Sequence, residues 1–465
     1  MRAMRDTDSN SNPQWSISSA GSIASQLART AAGIRFETLP GIVVDRAIRV
    51  VIDTLAVAIA GAADPFCRAY LTSLGGAGIG GSSSTLGSAQ YSAAELAAHM
   101  NALPTTVLQM DEGHRTSGGH PGIHVVPAAL AVGEEVRAGG CGLLVAVVAG
   151  YEVAARVGLV LRPLPDGVHP NGTAGTFGAA VAAATLWKAD ESQMRTLLDA
   201  TASLPLRPRI GAAFDGSSVL HLYAALGAQE GVTMARAVTR GATCTEGAFD
   251  RHYLGAFSGR GGAPWADAGF ELLQSYFKFY PACGHAHTAI EALEDLLANA
   301  SFASQDIEQI EVHAYRMATL LGDQHPSSDL AARFSIPFCL ARRVAVGPLD
   351  AGYFTDEDLM DPATVGLMSR TTVSHDPLLE SGYPAGRPVR LRLTLRDGTV
   401  LTAERSTSRG DYGRTEPESL WRRKIHDLVG GERAARLLAF VDASPTTWGA
   451  ADIGAAIRGA ATGES

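Results

Sequence analysis

Between two apolar segments the chain carries Asp111-Glu112-Gly113-His114-Arg115-Thr116-Ser117-Gly118-Gly119-His120-Pro121-Gly122-Ile123-His124. Two carboxylates, three imidazoles and a guanidinium stand there among four glycines. Imidazole titrates near neutral pH and a carboxylate can orient it, so the stretch suits proton transfer. Burying such groups unpaired is costly, which makes a loop dense in them a place to look for a site. Two other readings remain open. The loop could be a solvated connection whose histidines cap neighbouring helices. His114, His120 and His124 could also ligate zinc, although the helical His pair with a nearby Glu is absent.

Three further clusters carry reactive side chains. Asp166-Gly167-Val168-His169-Pro170-Asn171-Gly172 leads into a Gly-rich helix entrance, where free N–H groups favour an anion beside His169. No Gly-Lys-Ser/Thr follows, so this is not a P-loop. Ser217-Ser218-Val219-Leu220-His221 opens a helical pattern, and His221 read alone fits a core histidine. Lys278-Phe279-Tyr280-Pro281-Ala282-Cys283 sets an ammonium among aromatic rings, where it must pair with an anion, lose its proton or snorkel. Of 38 basic residues only Lys188, Lys278 and Lys424 are lysine.

The elements that must position these groups are mostly helical. The spacing predicts helices over 43–60, 93–103, 125–137, 142–157 and 174–186, rich in Ala and Gly, so that helices can approach closely. The apolar run 142–161 contains Glu152 and Arg156 and reads as a buried helix rather than a membrane span. Beyond residue 269, Ile307–Ala314 and Val389–Leu395 alternate apolar and polar residues, and Arg396-Asp397-Gly398-Thr399 marks a hairpin. The expected class is mainly α: a disordered tail over 1–20, an all-helical large domain over 21–268, a smaller α+β domain over 269–405, and a segment over 406–465 returning to the helical domain. No repeat is evident.

Composition narrows the function. With 465 residues, 46% hydrophobic and 18% charged, the chain can bury a large core. A net charge of −9 argues against a nucleic-acid partner. The N-terminal stretch lacks a signal-peptide core. Cys67, Cys141, Cys244, Cys283 and Cys339 are scattered without a C-x-x-C pair, which fits a reducing cytoplasm and offers neither structural zinc nor an iron–sulfur cluster. No cofactor, metal or membrane is expected.

The order of these motifs resembles the MmgE/PrpD family. The resemblance rests on the two His-Pro segments, Leu220-His221, Lys278-x-Tyr280-Pro281-x-Cys283 and Arg333-Phe334-Ser335-Ile336-Pro337-Phe338. Asp53-Thr54-Leu55-Ala56 and Gly150-Tyr151-Glu152-Val153 extend it over about residues 22–430. It implies a helical domain with a smaller α+β lid, an active site in the cleft, a homodimer, and cofactor-free chemistry on small polycarboxylates. Family activities include 2-methylcitrate dehydration, cis-aconitate decarboxylation and iminodisuccinate epimerisation. Carried over by position, His120 and His169 are the active-site histidines, Lys278 is the lid lysine, Asp111 orients a histidine and Tyr315 is a further lid residue. Arg115 and His221 are substrate-side candidates. Two departures stand out. Gln109 occupies a position commonly held by Asp, and Ser218 one commonly held by Lys; Arg207 and Arg209 could restore that charge. The leading expectation is a dehydratase-type lyase in which one histidine removes a proton next to a carboxylate. Decarboxylation, isomerisation or epimerisation through a similar carbanion is the enzymatic alternative, and a catalytically altered binding subunit the non-enzymatic one.

Overall fold

The computed structural model describes residues 21–74, 80–86, 90–257, 269–413 and 418–458. The tail expected over 1–20 lies outside the described residues.

The centre of the helical part is Ala174–Leu186, apolar on every side and buried along almost its whole length, as a helix without a polar face must be. Around it pack Gly122–Glu135, Gly140–Val160 and Val219–Thr239. Small residues set the spacing. A Cβ on Gly178 would meet the Gly150 carbonyl and the Ala154 side chain, and one on Gly231 would stand 2.7 Å from Ala179. The predicted helices are present with ends shifted by a few residues, and 174–186 keeps its bounds. Gly140–Val160 is long and apolar enough to cross a membrane, but it is buried inside the fold, with Glu152 and Arg156 paired to each other. It is a core helix.

A four-stranded sheet lies in the second half of the chain, in the order Thr371–His375, Ile307–Ala314, Val389–Leu395, Val400–Arg405. The first pair is parallel and the other two antiparallel, with the expected hairpin joining the last two strands. His287–Asn299 packs on this sheet. Two hydrophobic clusters result. One gathers residues 23–277 together with 421–457, and the other residues 280–393. The C-terminal helices Glu418–Val429, Gly431–Asp442 and Ala450–Arg458 contribute to the first. The first two of these helices are separated at Gly430, whose φ of 78° starts the second. A third, small cluster of Ala213, Leu220, Leu330 and Phe334 joins the two parts.

Candidate active site

The loop 111–124 is buried rather than solvated, and a short backbone pairing fixes it. Gly113–His114 pairs antiparallel with Ser275–Tyr276, Gly113 opposite Tyr276. That register carries Lys278 to Asp111. The Lys278 Nζ donates to Asp111 Oδ1 at 3.0 Å, and both side chains are almost wholly buried. The other carboxylate oxygen, Oδ2, lies 2.7 Å from His120 Nδ1, which also donates to the Glu112 carbonyl at 2.7 Å. Both partners accept, so Nδ1 carries hydrogen and Nε2 is left for chemistry. Burial works against charge here, but the neighbours prevail. Asp111 is held well below the carboxylate range by Lys278 and His120. His120 is raised, burial being outweighed by the Asp111 carboxylate, and Lys278 is raised for the same reason.

His169 has the opposite arrangement. Its Nδ1 accepts from the Asn171 N–H at 3.0 Å, so the hydrogen sits on Nε2. Burial, with the His120 charge nearby, pulls its pKa down to about 3. It is a neutral hydrogen-bond donor at neutral pH. The expected anion site at the helix entrance is not free, because the Gly172 N–H donates to His124 Nε2 at 3.0 Å.

One cavity of about 80 Å³ brings Gln109, His120, His169 and Lys278 together. Asn171, Tyr276, Cys283, His285 and Arg387 line it as well, with Phe214, Leu220 and Phe334 as an apolar wall. Gln109 adopts φ 52° and its amide donates to the Thr106 carbonyl at 2.6 Å. Sequence reading missed Tyr276 and Arg387. Tyr276 stands two residues before Lys278 in the same aromatic run, and that nearness was the available signal. Arg387 had none. The Tyr276 ring lies between two guanidiniums, Arg115 at 4.3 Å and Arg387 at 5.1 Å from its centroid. Burial raises a phenol, but Arg387, His120, Lys278 and Arg115 bring this one down to about 7.

The remaining candidates lie elsewhere. Arg115 pairs with Asp411 beneath Tyr276, behind the cavity wall. Tyr315 bonds His285 and stacks on Tyr383 at 4.6 Å, one layer outside the cavity. His221 is a core histidine, bonded to Thr106 Oγ1 at 2.9 Å and lowered by burial to about 4. Arg207 and Arg209 are exposed, Arg207 against Phe257, and Ser218 is exposed at the start of Val219–Thr239. None of these three lines the cavity, so they bring no charge to it. His114 is buried against Glu271, and His124 links two loops. Among the described residues no group of three or more His, Cys, Asp or Glu side chains is arranged to hold a metal ion.

The fold is a helical body joined to a strand-bearing unit, with the buried chain Lys278–Asp111–His120 beside a cavity lined from both. The chain belongs to the MmgE/PrpD family: residues 25–262 match its N-terminal domain and residues 280–442 its C-terminal domain. It is similar to cis-aconitate decarboxylase of Aspergillus terreus (strain NIH 2624 / FGSC A1156), 22% identical over 412 residues that cover 82% of this chain and 84% of that protein. It is also similar to the cis-aconitate decarboxylase-like protein oryM of Aspergillus oryzae (strain ATCC 42149 / RIB 40), 22% identical over 462 residues covering 90% and 93%.

Proposed function

We propose that this protein is a lyase acting on a small polycarboxylate, with decarboxylation as its reaction and His120 as the proton carrier. The observation that carries this is the buried relay Lys278–Asp111–His120 opening on a cavity with a surplus of positive charge. The raised pKa of His120 supports an imidazolium in the resting site. In the reaction the bond to the departing carboxylate breaks and carbon dioxide leaves. Its electron pair passes to the adjacent carbon, in conjugation with a remaining carboxylate. The His120 Nε2–H then delivers a proton to carbon, and water restores the imidazolium. Lys278 and the His169 Nε2–H stabilise the negative charge that develops. The names of the two relatives agree with this reaction.

Dehydration is the second reading, favoured by Tyr276. A phenol lowered to about 7 supplies a second proton-transfer group, so that His120 and Tyr276 could divide removal of the α-proton from protonation of the leaving hydroxyl. In both reactions the strand-bearing unit serves as a lid, since Lys278, His285 and Arg387 reach the cavity from its side of the chain.

The test is turnover of cis-aconitate and of a panel of hydroxy-polycarboxylates, followed by carbon dioxide release and by mass spectrometry in D2O. Decarboxylation gives carbon dioxide and one deuterium on carbon; dehydration gives neither carbon dioxide nor turnover of cis-aconitate to a decarboxylated acid. His120→Asn is expected to lower the rate by about 10²–10⁴-fold. Unchanged turnover in His120→Asn, His169→Ala and Lys278→Met alike would sink the assignment.

A further inference from the structure

The charges around the cavity do not balance. Lys278 and the His120 imidazolium share one carboxylate, Asp111. Arg115 has its own partner in Asp411. Arg387 has no carboxylate partner among the described residues. It is 7% exposed and lines the cavity, and its polar side-chain contact is the Tyr276 hydroxyl, 3.5 Å from Nη2. Its Nε is buried with no hydrogen-bond partner.

The fold goes to some length to place this group. Gly284 leaves room for it in this position, since a Cβ there would overlap Arg387 Nη1 and approach the Tyr276 hydroxyl to 3.2 Å. The Arg387 N–H donates to the Ser406 carbonyl at 2.8 Å, which fixes the residue at the head of strand Val389–Leu395. Tyr276, lowered to about 7, offsets part of the Arg387 charge through a long contact at 3.5 Å, and a guanidinium buried without a carboxylate partner remains expensive. An arginine fork is also the group best shaped to grip a carboxylate in two places. Ser218, Arg207 and Arg209, where sequence reading sought the cationic anchor, are all exposed.

We propose that Arg387 is the anchor for a second substrate carboxylate, so that the site selects molecules with at least two. Resting on the carboxylate reading above, this puts one carboxylate on the Arg387 fork and leaves the reacting end to Lys278, His120 and His169. Tyr276 lines the same cavity and is the group that Arg387 contacts.

The experiment is calorimetric titration of the full-length protein with glutarate and with glutaramate, its monoamide, which keeps the length and loses one charge. The wild type is expected to favour glutarate by about 30-fold or more, the size of effect seen when a buried charge pair loses a partner. Arg387→Met should bring the two ligands to within about 3-fold, chiefly by weakening glutarate, and Arg387→Lys should restore part of the preference. Arg387→Gln serves the same purpose if the methionine variant does not fold. A preference kept in the variants, or an equal loss for both ligands, overturns the anchor and leaves the proposed reaction standing. Failure of both ligands to bind the wild type overturns the carboxylate reading itself.

Discussion

His120 donates its Nδ1 hydrogen to Asp111 and to the Glu112 carbonyl, so in the proposed reaction proton exchange with a substrate falls to Nε2. Asp111 keeps the imidazolium in place to a higher pH than an ordinary histidine would allow. With the imidazolium as the acid, kcat/KM is high below that raised pKa and falls as pH rises through it. Asp111→Asn removes the supporting charge and leaves the burial, so the alkaline limb should move to lower pH. It also strands Lys278, a loss of about 3–5 kcal/mol for a broken buried pair. A pH–rate profile beside a urea titration checks both, and a limb that stays put would contradict the relay. Stability follows the same signs. The raised His120 contributes fully below its unfolded value of about 6.5 and loses this as pH rises through the folded one. The lowered Asp111 contributes above about 3.9 and loses this on acidification. His169→Ala should cost about 10²–10³ in kcat through loss of a neutral donor. It should leave the alkaline limb in place, because its own pKa near 3 lies outside the working range. Asp111, His120, His169 and Lys278 were legible as titratable groups in unusual company and through the family resemblance, and Gln109 only as a departure from that family's pattern. Arg387 was not, since Gly386-Arg387-Pro388 reads like any surface turn. Arg207 and Arg209 show the converse: charge in sequence says nothing of which side of the wall it occupies.

At the scale of elements, the two His-Pro loops are held together by His124. Its Nδ1 donates to the His120 carbonyl at 3.2 Å and its Nε2 accepts from the Gly172 N–H at 3.0 Å. Burial lowers it to about 4, so it stays neutral with a fixed tautomer. The ring fits because residues 175 and 227 are glycine; a Cβ at 175 would overlap it, and one at 227 would stand 2.8 Å from Cδ2. Gly175→Ala should therefore cost about 1–3 kcal/mol by overpacking and lower kcat more than it raises KM, since it displaces both histidine loops. Urea unfolding with steady-state kinetics reads the two effects, and a stable variant with unchanged kcat would deny His124 its linking role. A second brace joins the C-terminal helix Glu418–Val429 to the site. Lys424 bonds Asp53 at 2.6 Å and the Met110 carbonyl at 2.8 Å, both out of solvent. Lys424→Met should strand Asp53 at a cost of about 3–5 kcal/mol, visible as a lowered urea midpoint. The helices and strands were legible because period 3.6 and period 2 are local signals. These braces were not, because they join residues such as 53 and 424 that only the tertiary fold brings together.

The whole molecule has two main hydrophobic clusters and a cavity fed by both sides. Arg333, fully buried, ties them by donating to the carbonyls of Leu108 at 3.0 Å, Pro281 at 3.3 Å and Gly352 at 2.8 Å. The link through Arg162 is weaker. Arg162 donates to the Ser117 carbonyl at 3.0 Å and approaches the Tyr383 hydroxyl at 3.4 Å. Motion is therefore expected at the Tyr383 side, with the Arg333 side as the fixed edge. It is also needed, because a cavity of about 150 Å³ holds a benzene molecule, whereas this one measures about 80 Å³. A dicarboxylate with nine or more heavy atoms enters only when the walls part. Hydrogen exchange followed by mass spectrometry, with and without saturating glutarate, tests this. Peptides spanning 114–122, 283–287 and 383–387 should exchange measurably in the free protein and slow by about tenfold or more on binding, as an opening that is rare becomes rarer. The core segment 174–186 should exchange slowly in both states, since its amides open only with the body itself. Equal exchange at 383–387 in the two states, with the ligand bound by calorimetry, would mean that substrate reaches His120 without the strand-bearing unit moving.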